Sequence, residues 1–166
     1  MSTYSLKSAL LFVAATSVTS LIMQACGGGS DAIAQTAADA DPIEGVWESA
    51  VTIRDCSAGT TLATFTGVTQ LSRGGAVLAT NNQPPTTQGT GYGRWARNAG
   101  GDYAVGFRLF RFAPDGRVVG TQKVARTLSL AADYKSMTGT ISAQVMDPAG
   151  AVLQQVCGSE TVTRLY

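Results

Sequence analysis

The sequence contains no histidine, only 14% charged residues and 7% aromatics, and five prolines among 166 residues. Without imidazole, a histidine general base, a His-activated serine or cysteine nucleophile and a His-ligated metal site are all excluded. Charge is balanced as well as sparse, with twelve Lys and Arg against eleven Asp and Glu. Lys7 is the sole charged residue of the first 25, so the remainder is neutral. Charges that alternate along the chain, as at Arg108, Arg111, Asp115 and Arg117, read as a solvated face, and no nucleic-acid partner is expected. A CxxC redox motif is missing, and no GK[ST] follows Gly89, Gly91 and Gly93, so these glycines do not form a phosphate loop. From Pro42 onward no ten-residue stretch carries a helical apolar stripe. The 45% hydrophobic content excludes bulk disorder, and the length suits one folded domain.

What is present begins with a targeting segment. Lys7 precedes an apolar stretch from Ala9 to Met23, interrupted by Thr16, Ser17, Thr19 and Ser20 and short for a stable membrane span. The junction Leu21-Ile22-Met23-Gln24-Ala25-Cys26 resembles the lipobox of bacterial lipoproteins, although Met23 stands where Leu is usual and Gln24 where a small residue is. That resemblance implies cleavage before Cys26 and lipidation of its thiol, with the membrane as a partner through this anchor. Gly27 in place of Asp implies sorting to the outer membrane, and the protein is expected in the cell envelope facing the periplasm. Residues 26–42 then read as a lipidated Cys and flexible linker of small, polar and acidic residues, with Asp39 and Asp41 solvated and the domain starting at residue 43. Such a tether spans about 20–25 Å.

With Cys26 committed to lipid, Cys56 and Cys157 remain as an even pair in an oxidising compartment, and one structural disulfide is expected between them. Residues 43–166 alternate with period two between turn signals, predicting strands near 45–55, 61–72, 75–80, 91–98, 102–113, 118–130, 136–146 and 151–165. Arg73-Gly74-Gly75, Pro114-Asp115-Gly116 and Asp147-Pro148-Ala149-Gly150 are typical of the short links between them. Only the stretch around Asn81 to Thr90, with Pro84-Pro85, is a long connection, the natural position for a lid or contact surface. The apolar parity of the fifth strand switches between Leu109 and Phe110, which predicts a β-bulge there. Eight short-linked strands can bury their edges by closing on themselves. The expected fold is all-β, an eight-stranded antiparallel up-and-down barrel.

Parity supplies an internal test of closure. Trp47, Ser49, Val51 and Ile53 form the inward set of the first strand, and Val156, Gly158, Glu160, Val162 and Arg164 that of the last. The residue-number sums of Cys56/Cys157 and Trp47/Arg164 have the same parity, so one antiparallel register places both cysteines outside and Trp47 with Arg164 inside. Gly45-Val46-Trp47 at the start and Arg164 near the end resemble the G-x-W and C-terminal Arg pattern of lipocalins and the wider calycin barrels. The resemblance spans residues 43–166 but rests on three or four positions, and neither the further lipocalin motifs nor a helix beside the barrel is visible. It implies barrel closure by Gly45, Trp47 and Arg164, with the guanidinium over the indole, and a cavity for a small, mostly apolar molecule.

The interior parities offer Phe65, Tyr103, Val105, Phe107, Val124, Leu128 and Ile141, together with Trp47, as the cavity lining. Arg126 and Glu160 share those inner faces, and inside a barrel they must pair with each other or meet a ligand. The expectation is a non-enzymatic envelope lipoprotein that binds a small hydrophobic ligand, with no catalytic residue, metal or cofactor. The alternative is a structural or protein-interaction module of the envelope whose barrel is filled by its own side chains, with the protein partner unspecified.

Overall fold

The computed structural model describes residues 40–166; the signal segment, Cys26 and the linker as far as residue 39 lie outside the described residues. Eight strands follow one another: β1 (Gly45–Arg54), β2 (Thr61–Leu71), β3 (Ala76–Asn81), β4 (Gly91–Arg97), β5 (Tyr103–Phe112), β6 (Val118–Leu130), β7 (Ser136–Met146) and β8 (Val152–Arg164). A single 3₁₀ turn, Arg73–Gly75, sits between β2 and β3. Each strand pairs antiparallel with the next, and β8 returns to β1, giving a closed up-and-down barrel without a free edge. The short links behave as their residues dictate. Gly116 and Gly150, at positive φ, end turns in which their N–H donates to Ala113 O and Asp147 O.

The seam has the register that parity requires. Trp47 lies opposite Arg164, and the pairing runs without interruption to Arg54 opposite Cys157. Cys56 follows two residues beyond Arg54 and is bonded to Cys157 with Cα atoms 5.0 Å apart. The disulfide and the Trp47/Arg164 contact therefore fasten opposite ends of the same seam.

One end of the barrel is solid. Ile43, Trp47, Leu71, Val77, Tyr103, Val105, Leu128, Met137 and Val162 are buried there as one cluster. Burying each such side chain stabilises the fold by about 1.5–3 kcal/mol over leaving it in water. The Arg164 guanidinium lies 4.1 Å from the Trp47 ring centre, and the indole N–H donates to Ile43 O at 2.7 Å. Arg164 also donates to Glu44 O at 2.8 Å, to Tyr134 O at 3.0 Å and to Pro42 O. These contacts explain the glycine of G-x-W: Gly45 has φ +145°, and a Cβ there would stand 2.6 Å from Arg164 Nη1.

The linker ends earlier than composition suggested. Asp41 is half-buried and held rather than free in solvent: its Oδ1 accepts from Tyr103 Oη at 2.6 Å and from the Ile43 amide at 3.1 Å. Pro42 accepts from Arg164, so residues 41 and 42 already belong to the closed end.

The expected bulge in β5 is also misplaced. Alternation continues through Leu109, which is inward, and Phe110, which is outward and 58% exposed. The register slips only between Arg111 and Phe112. The error came from equating an aromatic residue with the interior, whereas Phe110 stays on the outer surface.

Candidate functional site

The other half of the barrel is hollow. Above the solid cluster, Val51, Val124, Ile141, Ala143 and Val156 form a second apolar group with Ile53, Phe65 and Phe107 packed against it. They surround a cavity of about 760 Å³ that opens at the end carrying the disulfide. That volume lies within the range of about 300–1,000 Å³ typical of small-molecule sites.

Local sequence explains how the space arises. Gly91, Gly93 and Trp95 are the inward positions of β4; Gly91 faces the Phe107 ring of β5, and Gly93 lies against the β5 backbone at Gly106 and Phe107. A Cβ at Gly91 would come within 2.5 Å of that ring, and one at Gly93 within 1.9 Å of Gly106 O. Gly91 thus leaves room for the aromatic ring, and Gly93 lets the β4 and β5 backbones approach.

Between the two apolar groups lies a polar floor. Arg126 Nε donates to Glu160 Oε1 at 2.7 Å and Nη2 to Oε2 at 2.6 Å, a two-point ion pair whose side chains are 5% and 1% exposed. Arg126 Nη1 donates to Thr69 Oγ1 at 2.9 Å and Nη2 to Ser49 Oγ at 3.3 Å. Gly139, opposite Glu160 in the β7–β8 register, makes the arrangement possible, since a Cβ there would lie 3.0 Å from Glu160 Oε1 and 2.6 Å from Leu128 Cδ2. The two-point contact and the bonds to Thr69 and Ser49 offset much of the cost of burying the pair.

The mouth is more polar. Arg111 Nη1 donates to Gln122 Oε1 at 3.4 Å, a diagonal contact across β5 and β6. The β3–β4 connection folds over this rim. Gln88 pairs with Arg111, the Phe112 amide donates to Thr87 O, the Gly89 amide donates to Phe110 O, and Gln88 Nε2 donates to Asn81 Oδ1. In the β1–β2 turn nearby, hydrogen bonds from the Ser57 hydroxyl and from the Ala58 and Ser57 amides hold the exposed Asp55 carboxyl below its usual range.

Phe65, Phe107, Val124, Arg126, Ile141 and Glu160, all expected in the lining, come together around this cavity. Tyr103, Val105 and Leu128, expected beside them, lie instead in the solid cluster with Trp47. Parity gives the inner face of a strand but not the depth along it, and these three occur at the closed-end level of β5 and β6. Burial and the hydrogen bond to Asp41 push the Tyr103 hydroxyl up to about 12. Sequence reasoning passed over Thr69, Leu109 and Gln122 and read Arg111 as part of a solvated face; all four share the inward parity of their strands and line the same space, because alternating charge along a strand does not report which side it faces. The cysteines, Gly45, Trp47 and Arg164 stand outside the cavity as closure elements.

No protein-family model matches this chain, and no curated protein shows significant similarity to it. The closed eight-stranded architecture is consistent with the calycin resemblance of residues 45, 47 and 164. Function has to be argued from the cavity.

Proposed function

We propose that this protein is a non-enzymatic lipoprotein of the bacterial cell envelope that carries a small hydrophobic molecule inside its barrel. The supporting observation is the one-ended cavity of about 760 Å³, walled by aliphatic and aromatic side chains above a neutralised polar floor. The lipobox-like Leu21 to Cys26 segment supports an anchor at Cys26, and Gly27 supports the outer membrane, with the barrel facing the periplasm.

Native mass spectrometry of the mature protein purified from an exporting, oxidising host tests the binding reading. A reproducible non-covalent adduct of a few hundred daltons, displaced by a hydrophobic fluorescent probe, is the expected outcome. A barrel that carries no adduct and takes up no probe sinks it. Metabolic labelling with an alkyne fatty acid tests the anchor, and label that persists in Cys26→Ala refutes it.

A second reading, docking to another envelope component, is favoured by one surface feature. Leu78, Tyr92 and Phe110, on the outer face of β3 to β5, are 40%, 65% and 58% exposed. Arg108 lies between Tyr92 and Lys123 in the same cross-strand row. A photo-crosslinker at Tyr92 that captures one discrete envelope protein supports this reading; absence of any adduct removes it.

A further inference from the structure

We infer that the molecule held in the cavity is uncharged at its inner end and presents a hydrogen-bond acceptor there, as a ketone, ester or ether does, to the hydroxyls of Ser49 and Thr69. This inference rests on the binding reading above and specifies its ligand class.

The floor is unusual in what it has left to offer. Arg126 donates to both oxygens of Glu160, to Thr69 Oγ1 and to Ser49 Oγ, four bonds from its five N–H groups, which leaves one Nη1 hydrogen beside the two hydroxyls. Each hydroxyl has therefore accepted a hydrogen bond and keeps its own hydrogen to donate. Neither hydroxyl donates a hydrogen bond among the described residues, although Ser49 and Thr69 are only 2% and 4% exposed and both line the cavity. A buried donor without an acceptor is costly, and one facing a cavity is a recognition element for whatever fills it.

Charge selects the type of acceptor. A carboxylate placed here would gain attraction from Arg126 and suffer nearly equal repulsion from Glu160, because the two are held within 2.6 Å of each other. It would still lose its hydration, so the net effect opposes it. An ammonium fails for the mirror-image reason, and hydroxyls that already accept from Arg126 have a hydrogen to give. A neutral carbonyl or ether oxygen meets neither penalty. The apolar walls of Val51, Phe107, Val124, Ile141 and Val156 then take the hydrocarbon remainder. Arg111, the cation at the mouth, lies at the opposite end from this floor and leaves its selectivity intact.

The test compares three carbon-matched probes, undecane, undecan-2-one and undecanoate, by displacement of the neutral dye N-phenylnaphthylamine from the mature protein at neutral pH. The ketone is expected to bind about tenfold tighter than the alkane, as one to two neutral hydrogen bonds would give, and tighter than the carboxylate by at least as much. Ser49→Ala and Thr69→Val should each shrink the ketone's advantage over undecane. Glu160→Gln should invert the order of ketone and carboxylate by leaving Arg126 unneutralised. Should that variant fail to fold, the wild-type series and the two hydroxyl variants still decide the matter. Undecanoate binding tightest to the wild type overturns the inference, and loss of that preference in Arg111→Gln would move the anion to the mouth. Binding of all three without preference sinks the inference alone, whereas binding of none sinks it together with the ligand-binding reading.

Discussion

Replacing Arg164 by lysine separates two contributions that the closed end combines. The guanidinium sits 4.1 Å from the Trp47 ring centre and also donates to three backbone carbonyls, those of Pro42, Glu44 and Tyr134. A cation over an indole contributes about 0.5–2 kcal/mol. A hydrogen bond from a charged donor contributes roughly 1.5–3 kcal/mol, less where water competes, as it does at the exposed Tyr134 carbonyl. A lysine ammonium keeps the charge above the ring but, lacking the planar fork, serves one carbonyl instead of three. Arg164→Lys should therefore cost about 2–3 kcal/mol and Arg164→Leu about 3–5 kcal/mol. For a barrel of this size each kcal/mol lowers the midpoint by about 4 °C, so the expected drops are roughly 8–12 °C and 12–20 °C. Urea unfolding followed in parallel by tryptophan fluorescence and far-UV circular dichroism gives the free energies directly. If Arg164→Lys unfolds at the wild-type midpoint, the carbonyl clamp contributes nothing and the account of closure fails. If both variants match the wild type, the seam is held elsewhere.

Three further outcomes follow from the same geometry. The 101-residue separation of Cys56 and Cys157 means that Cys157→Ser should cost about 4–5 kcal/mol by loop-closure entropy and lower the melting temperature by about 15–20 °C; thiol titration that finds Cys56 and Cys157 free in the wild type would contradict this. Tyr103 titrates near 12 in the fold against 10.0 ordinarily, so its stabilisation is complete below pH 10 and declines as pH rises from 10 toward 12. Tyr103→Phe should flatten this alkaline loss, and identical pH profiles for the two proteins would refute the assignment. Gly139→Ala should cost about 1–3 kcal/mol, because the added methyl meets Leu128 and Glu160 at 2.6 and 3.0 Å, with wild-type stability as the refuting result.

The strands and their closure were legible because period-two alternation and turn residues are local properties, and because parity constrains which ends of β1 and β8 can meet. Trp47 and Arg164 needed only that constraint. Depth was not legible. Tyr103 and Phe107 share one strand and one face, yet the first packs beneath the floor and the second lines the cavity. Their separation depends on where the approach through Ile43 plugs the barrel, and no local pattern encodes that. Gly91 illustrates the same limit, since nothing local in β4 shows that the ring of Phe107 on the next strand needs its space. Ser49 and Thr69 carry a signal only after Arg126 is placed between them, because a small hydroxyl on an inner face is otherwise ordinary.

The buried pair at the floor is poorly explained by stability. Removing one member, as in Glu160→Leu, leaves the guanidinium buried without its partner and should cost about 3–5 kcal/mol. Removing both, as in Arg126→Met with Glu160→Leu, exchanges two desolvated charges for apolar volume between two groups that are already apolar, the clusters around Trp47 and around Val124. That exchange should leave the barrel as stable as the wild type or up to about 4 kcal/mol more so. The double variant would thus recover what the single one loses, a coupling measurable in one double-mutant cycle by urea unfolding. Recovery of stability with loss of the preference for a ketone over an alkane would mean that the ion pair is there to orient Ser49 and Thr69 toward a ligand. A double variant as unstable as the sum of its parts would mean that the pair holds the two halves of the barrel together, and the floor would then be a structural layer.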